Sequence, residues 1–142
     1  MRRYLIVANQ TLGGAHLAGS VRARMAEGPC SFHIIVPATR PTDHAVWTEG
    51  EANAIAKERL DKALGWFADN GFVASGEVGD ARPMLAVLDA LREGGFNEVI
   101  VSTLPPGMSK WLKQDLPARI ARRTALPVTH VIGQPERVQA SA

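Results

Sequence analysis

The sequence predicts a single α/β domain built on a parallel sheet with helices on both faces, and three observations carry that expectation. At 142 residues and 46% hydrophobic content, the chain has the size of one domain and enough apolar side chains to bury a core. Two runs, Tyr4-Leu5-Ile6-Val7-Ala8 and Val99-Ile100-Val101, are unbroken apolar stretches. Such runs suit strands covered on both faces rather than one. Strand and helix signatures then alternate along the chain, with helical stretches long enough for right-handed crossovers between parallel strands.

The first strand, residues 4–8, ends at Asn9-Gln10-Thr11-Leu12-Gly13-Gly14, where the glycines permit a tight turn. A helix carrying Leu17, Val21 and Met25 follows, and Gly28-Pro29 stops it. Residues 32–36 (FHIIV) read as the second strand and residues 37–47 as a polar loop. Thr48 caps a long helix, with Glu51 at the capping-box spacing. Along it Ile55, Leu60, Leu64 and Phe67 recur at helical intervals and face the sheet. Asn70-Gly71 closes this helix, because both residues tolerate the left-handed conformation.

Residues 72–78 form a weaker strand, interrupted by Ser75-Gly76 and placed towards a sheet edge. Asp80 reads as an N-cap and Pro83 as a first-turn residue of a helix buried along Met84, Val87, Leu88 and Leu91. Gly94-Gly95 breaks that helix before the strand beginning at Glu98. A loop with Pro105, Pro106 and Gly107 follows, then one helical turn over residues 109–113. Asp115 caps the next helix, with Pro117 in its first turn and Ile120 inward. Leu126-Pro127 ends it, and residues 128–132 are the last strand. The domain is expected over residues 1–132, with a flexible tail over residues 133–142.

Composition excludes several classes of function. A lone cysteine, Cys30, cannot build an internal disulfide framework and reads as a small buried hydrophobe. No stretch reaches the roughly 18 apolar residues that span a bilayer, and Met1-Arg2-Arg3 leads into a strand without a cleavage pattern. A cytoplasmic protein with no membrane contact is expected. A formal charge of +2 does not argue for nucleic acid, and Lys110, Lys113, Arg119, Arg122 and Arg123 read as a solvated helix face. Trp47, Trp66 and Trp111 are too dispersed for a base-stacking platform, and Trp111 is expected to cover apolar surface beside the crevice. His16, His33, His44 and His130 lack metal-site spacing, so no metal is expected. No Gly-x-Ser-x-Gly nucleophile motif occurs, and no catalytic residue is assigned.

The element order and turn residues, above all LIVANQ, EVGDARPMLAVLDAL, EVIVSTLPPG and ALPVTHVI, resemble the universal stress protein family over about residues 3 to 132. The resemblance implies an adenine nucleotide alpha hydrolase-like, Rossmann-like domain with five strands in the order 3-2-1-4-5. The ends of the first and fourth strands would then flank one crevice at the switch point. Its candidate ligand-binding residues are Asn9, Gln10, Thr11, Gly13, Gly14, Ser102, Thr103, Leu104, Gly107, Gln114 and Asp115. Many family members bind ATP through an acidic residue after the first strand and Gly-x2-Gly-x9-Gly-Ser/Thr after the fourth. Here Gln10 stands at the acidic position, and Val101, Leu104, Gln114 and Asp115 stand at the four motif positions.

Leu104 adds bulk, Pro105 and Pro106 remove two N–H donors, and the Asp115 carboxylate is expected to occupy the helix start that would otherwise meet a phosphate. The chain is therefore expected to be a divergent member with weak or no ATP binding and no cofactor, ATP or another nucleotide being disfavoured. It would act without catalysis as a small-ligand sensor or protein-interaction module in stress response, partnered by a small molecule or a protein. The alternatives are a nucleotide-binding protein or slow ATPase with an altered loop, and a small hydrolase or transferase acting at Ser102 and Thr103. A homodimer is also expected, with Val128, His130, Val131 and Ile132 on the pairing edge, which carries no Lys or Glu to discourage association.

Overall fold

The computed structural model describes residues 1–39 and 48–133. Five strands form: β1 (Arg2–Val7), β2 (Cys30–Pro37), β3 (Val73–Gly79), β4 (Glu98–Thr103) and β5 (Val128–Ile132). They pair in parallel throughout, in the order β3-β2-β1-β4-β5. Between them run α1 (Ala15–Glu27), α2 (Glu49–Asp69), α3 (Pro83–Leu91), α4 (Lys110–Lys113) and α5 (Leu116–Thr124). The two continuous apolar runs occupy β1 and β4, where side chains alternate between two cores. Tyr4, Ile6, Phe32, Ile34 and Ile100 meet Leu17 and Val21 of α1 and Leu60 and Phe67 of α2. Leu5, Val7, Ile35, Val99 and Val101 meet α3, Trp111 of α4, and Leu116 and Ile120 of α5.

The helices bury a smaller stripe than their largest apolar residues suggest. In α2 the buried positions are Ala52, Ala56, Leu60, Ala63 and Phe67, whereas Ile55 and Leu64 are half-buried. The reason lies in β3. A Cβ at Gly76 would stand 2.6 Å from Leu60 Cδ1 and 2.9 Å from the Ile34 carbonyl oxygen, so helix and strand approach closely only because that side chain is absent. Ser75-Gly76 thus marks a close approach and not a break in the strand. In α3, Pro83, Ala86, Val87 and Ala90 are buried, leaving Met84, Leu88 and Leu91 half-buried.

Capping differs in detail from expectation. Thr48 Oγ1 accepts the Glu51 N–H at 3.0 Å and also lies 3.0 Å from the Glu51 carboxylate, to which it donates. Asp80 is not the cap of α3, because Arg82 holds that position. The Asp80 carboxylate instead accepts the Arg82 N–H at 2.8 Å in a turn, and its bonds to Arg82 hold its pKa below the usual range. At the end of α2 only Gly71, with φ 76°, is left-handed. α5 stops at Thr124, where Ala125 takes φ 58°, one residue before Leu126. Pro37 closes β2 rather than opening the loop, whose residues 40–47 lie outside the described residues. Of the expected tail, Gly133 is buried and donates to the Thr103 carbonyl at 2.8 Å, and residues 134–142 lie outside the described residues.

A largely buried charge pair ties β4 and β5 to α1. Glu98, the first residue of β4, accepts from Arg24 Nη2 at 2.7 Å and from the Thr129 hydroxyl of β5. The two charged side chains retain only 17% and 11% exposure. Burial pushes the Glu98 carboxyl up, but the bonds from Arg24 and Thr129 outweigh it and leave the pKa lowered.

Candidate functional site

The strand order makes β1 and β4 neighbours, and their carboxyl ends open into one crevice of about 40 Å³. From β1 it receives Asn9, Gln10 and Thr11, and from β4 Ser102, Thr103 and Leu104. Thr39 enters after β2, and Met108, Ser109, Lys110 and Trp111 close the side formed by the β4–α4 loop. Six of the expected ligand-binding residues therefore meet in space although about 90 positions separate their two groups in the chain.

Hydrogen bonds hold this wall in place. Thr11 Oγ1 and Ser102 Oγ lie 2.5 Å apart in the buried floor, joining the β1 loop to β4. Asn9 uses both ends of its amide: Nδ2 donates to the Pro37 carbonyl at 2.7 Å and Oδ1 accepts from Arg59 Nη1 at 2.6 Å. Thr103 Oγ1 donates to the Leu104 carbonyl at 2.9 Å and stands 2.8 Å from His130 Nε2. Burial pushes the His130 pKa down, favouring the neutral ring. Trp111 is 7% exposed, and its Nε1 donates to Thr39 Oγ1 at 3.3 Å. The crevice wall is thus mostly neutral hydroxyl and amide, with Lys110 as its charged member.

The loop after β4 turns its own amides inward. Met108 N and Ser109 N both donate to the Pro105 carbonyl, at 3.0 and 3.2 Å. Ser109 Oγ accepts the Leu112 N–H at 3.1 Å, capping α4. A phosphate-cradling loop presents such N–H groups to its ligand; here they close a turn.

The remaining expected residues lie elsewhere. Gly107, with φ 89°, is exposed on the loop and does not line the crevice. Gln114 and Asp115 are exposed and also absent from the crevice wall, which corrects the expected position of the Asp115 charge. Asp115 occupies the N-cap position of α5 in a left-handed conformation, φ 55°, and its side chain makes no cap bond. Its carboxylate stands 3.8 Å from Arg122 Nη1. Gly13 and Gly14 line a second cavity, between α1 and α2. Val128, His130, Val131 and Ile132 lie on β5, an edge strand of the sheet among the described residues, where Ile132 is 45% exposed and Val131 packs partly on the core.

Sequence reasoning did not find Thr39, Met108 or Lys110, none of which carries a motif. Ser109 was legible as the first residue of the expected helical turn beside the crevice, and a serine directly before KWLK is an N-cap pattern. A hydroxyl–imidazole cluster was also missed: buried His33 bonds Ser75 Oγ at 2.8 Å and Glu77 Oε2 at 3.0 Å across the β2–β3 pair. Among the described residues, no group of three or more His, Cys, Asp or Glu side chains is placed to hold a metal, and no helix is long and apolar enough to cross a membrane.

The element order and the crevice at the switch point define a parallel Rossmann-like α/β domain. Its fold is more particularly that of a universal-stress-protein-like domain: it is similar to a universal stress protein crystallised in complex with cAMP, with 18% identity over 94% of this chain and 98% of the other, at a TM-score of 0.54. A second solved structure, the 4-carboxy-2-hydroxymuconate hydratase GalB from Pseudomonas putida KT2440, aligns with 18% identity over 95% of this chain and 63% of the other, at a TM-score of 0.45. No family model and no curated protein sequence matches the chain.

Proposed function

We propose that the chain is a divergent universal-stress-protein-like domain that acts without catalysis, as a small-ligand sensor or protein-interaction module in the cytoplasmic stress response, with weak or no ATP binding. One observation carries this reading: the β4–α4 loop uses the N–H groups of Met108 and Ser109 on its own Pro105 carbonyl. Donors already engaged inside a turn cannot stabilise phosphate oxygens without breaking it. Size points the same way. The crevice of about 40 Å³ is far below the roughly 300–1,000 Å³ of ordinary ligand pockets. Its hydroxyls and amides suit a neutral polar fragment or the tip of a partner's side chain. Dimerisation through β5 belongs to this reading as a proposal from the exposed edge.

The experiment is calorimetry and thermal shift of the full chain against ATP, cAMP and a set of small neutral polar compounds, with ATP turnover followed alongside. Stabilisation by a neutral compound and none by ATP is the expected result, because native-state binding raises stability by mass action. Micromolar ATP binding, with its phosphates at the Ser109 end of α4, would overturn the reading and promote the nucleotide-binding alternative. Turnover lost on changing Ser102 and Thr103 would promote the hydrolase or transferase instead.

A further inference from the structure

The second cavity, of about 150 Å³, lies between α1 and α2. It shares with the crevice only the side chain of Asn9. The space exists because the helix positions beside it include small residues, Ala18 on α1 and Ala63 on α2, while Leu17, Val21, Trp66 and Phe67 frame it. The Trp66 ring is held edge-on by Phe67 at 5.2 Å and by Phe72 at 5.5 Å, and the Arg22 guanidinium lies over it at 5.1 Å from the centroid. The body of the cavity is therefore aliphatic and aromatic.

Its polar border has a different character. Arg59 and Lys62, three residues apart on α2, line it together with Gly13 and Gly14 at the start of α1. The first turn of α1 has no acidic residue, and Gly14 supplies no side-chain cap. The positive end of the helix dipole therefore adds to two cationic side chains, of which Lys62 also pairs with Glu58 Oε1 at 3.7 Å. Arg59 is also oriented: the Asn9 carboxamide, itself pinned to the Pro37 carbonyl, holds its Nη1 at 2.6 Å.

We propose that this cavity binds a small aryl carboxylate, with its ring among Leu17, Val21, Trp66 and Phe67 and its carboxylate on Arg59. The volume sets the size, since a space near 150 Å³ walled by such side chains accepts one benzene-sized ring. The border sets the charge, because a planar guanidinium matches a carboxylate with two parallel N–H bonds. This site lies outside the crevice reading above, and its test uses no nucleotide, so either can fail without the other.

The test is a titration of the full chain with benzoate, and with benzyl alcohol as its neutral counterpart, followed by methyl NMR. Benzoate is expected to give saturable shifts at Leu17 and Val21 with a Kd of about 1 mM or tighter. Ring protons should give direct cross-relaxation to those methyls. Arg59→Met should weaken benzoate about tenfold or more while leaving benzyl alcohol unchanged, and Ala18→Leu should fill the space and abolish both. Absence of saturable shifts in the unaltered protein, or cross-relaxation to methyls elsewhere, would overturn the site whether or not the variants fold. Binding undiminished in Ala18→Leu would overturn the location. Equal losses of both probes in Arg59→Met would overturn the carboxylate assignment.

Discussion

Replacing Glu98 with Gln keeps the shape of the side chain and removes the charge that Arg24 and Thr129 address. Hydrogen bonds to charged groups contribute roughly 1.5–3 kcal/mol, and stranding one member of a fully buried pair costs about 3–5 kcal/mol. Arg24 retains 17% exposure and can reach water, so the lower part of that span applies. A loss of about 2–3 kcal/mol is expected for Glu98→Gln at neutral pH. With an m-value of about 2 kcal/mol/M, the urea midpoint falls by roughly 1 M. Arg24→Met should cost at least as much, and the double variant Arg24→Met/Glu98→Gln should cost less than the two singles together. The pH dependence follows from the direction of the shift. The folded Glu98 pKa is depressed, so its contribution is present above the unfolded carboxylate range, about pH 4, and is lost as pH falls through the folded pKa. The gap between native protein and Glu98→Gln should therefore narrow in acid. A midpoint unchanged at pH 7, or a gap that widens below pH 4, would refute the reasoning.

Gly76→Ala should lower stability by about 1–3 kcal/mol and the melting temperature by several degrees, because the added Cβ meets Leu60 and the fixed Ile34 carbonyl; an unchanged melting curve would mean the strand shifts freely. Changing Gln114 to Gly and Asp115 to Ser should leave ATP affinity within about twofold, since that exposed carboxylate is screened and lies outside the crevice wall; calorimetry showing a large gain would restore Asp115 as the barrier. Ile132→Lys should weaken a β5-mediated dimer in sedimentation equilibrium, and Ile132 is a cleaner probe than Val131, which packs on the core. A protein that is monomeric before the change would remove that interface from the account.

The sheet was legible because β1 and β4 carry the unbroken apolar runs of residues 4–7 and 99–101, which suit burial on both faces. Helix faces were less legible. In α2 and α3 several alanines share the buried stripe with Leu60, Phe67 and Val87, and Gly76 and Gly79 leave room for Leu60 and Ala86 to approach β3 closely. Half of the crevice followed from topology, since Asn9 and Ser102 each end a run identified as a strand. The other half depended on how one loop folds. Whether Asp115 caps with its carboxylate or turns outward rests on a single φ of 55°, which no local pattern encodes. Glu98 was read only as the start of a strand, because its partners Arg24 and Thr129 belong to distant elements.

Asn9 borders both the crevice and the α1–α2 cavity, and its one amide is held from both sides. An occupant that draws Arg59 away alters the acceptor at the crevice wall, and an occupant of the crevice that turns Asn9 alters the guanidinium behind it. Thermodynamic linkage makes any such effect reciprocal: whatever factor one occupant imposes on the affinity of the other is returned unchanged. A single side chain is thus enough to let the crevice and the cavity report on each other, without movement of a strand or a helix.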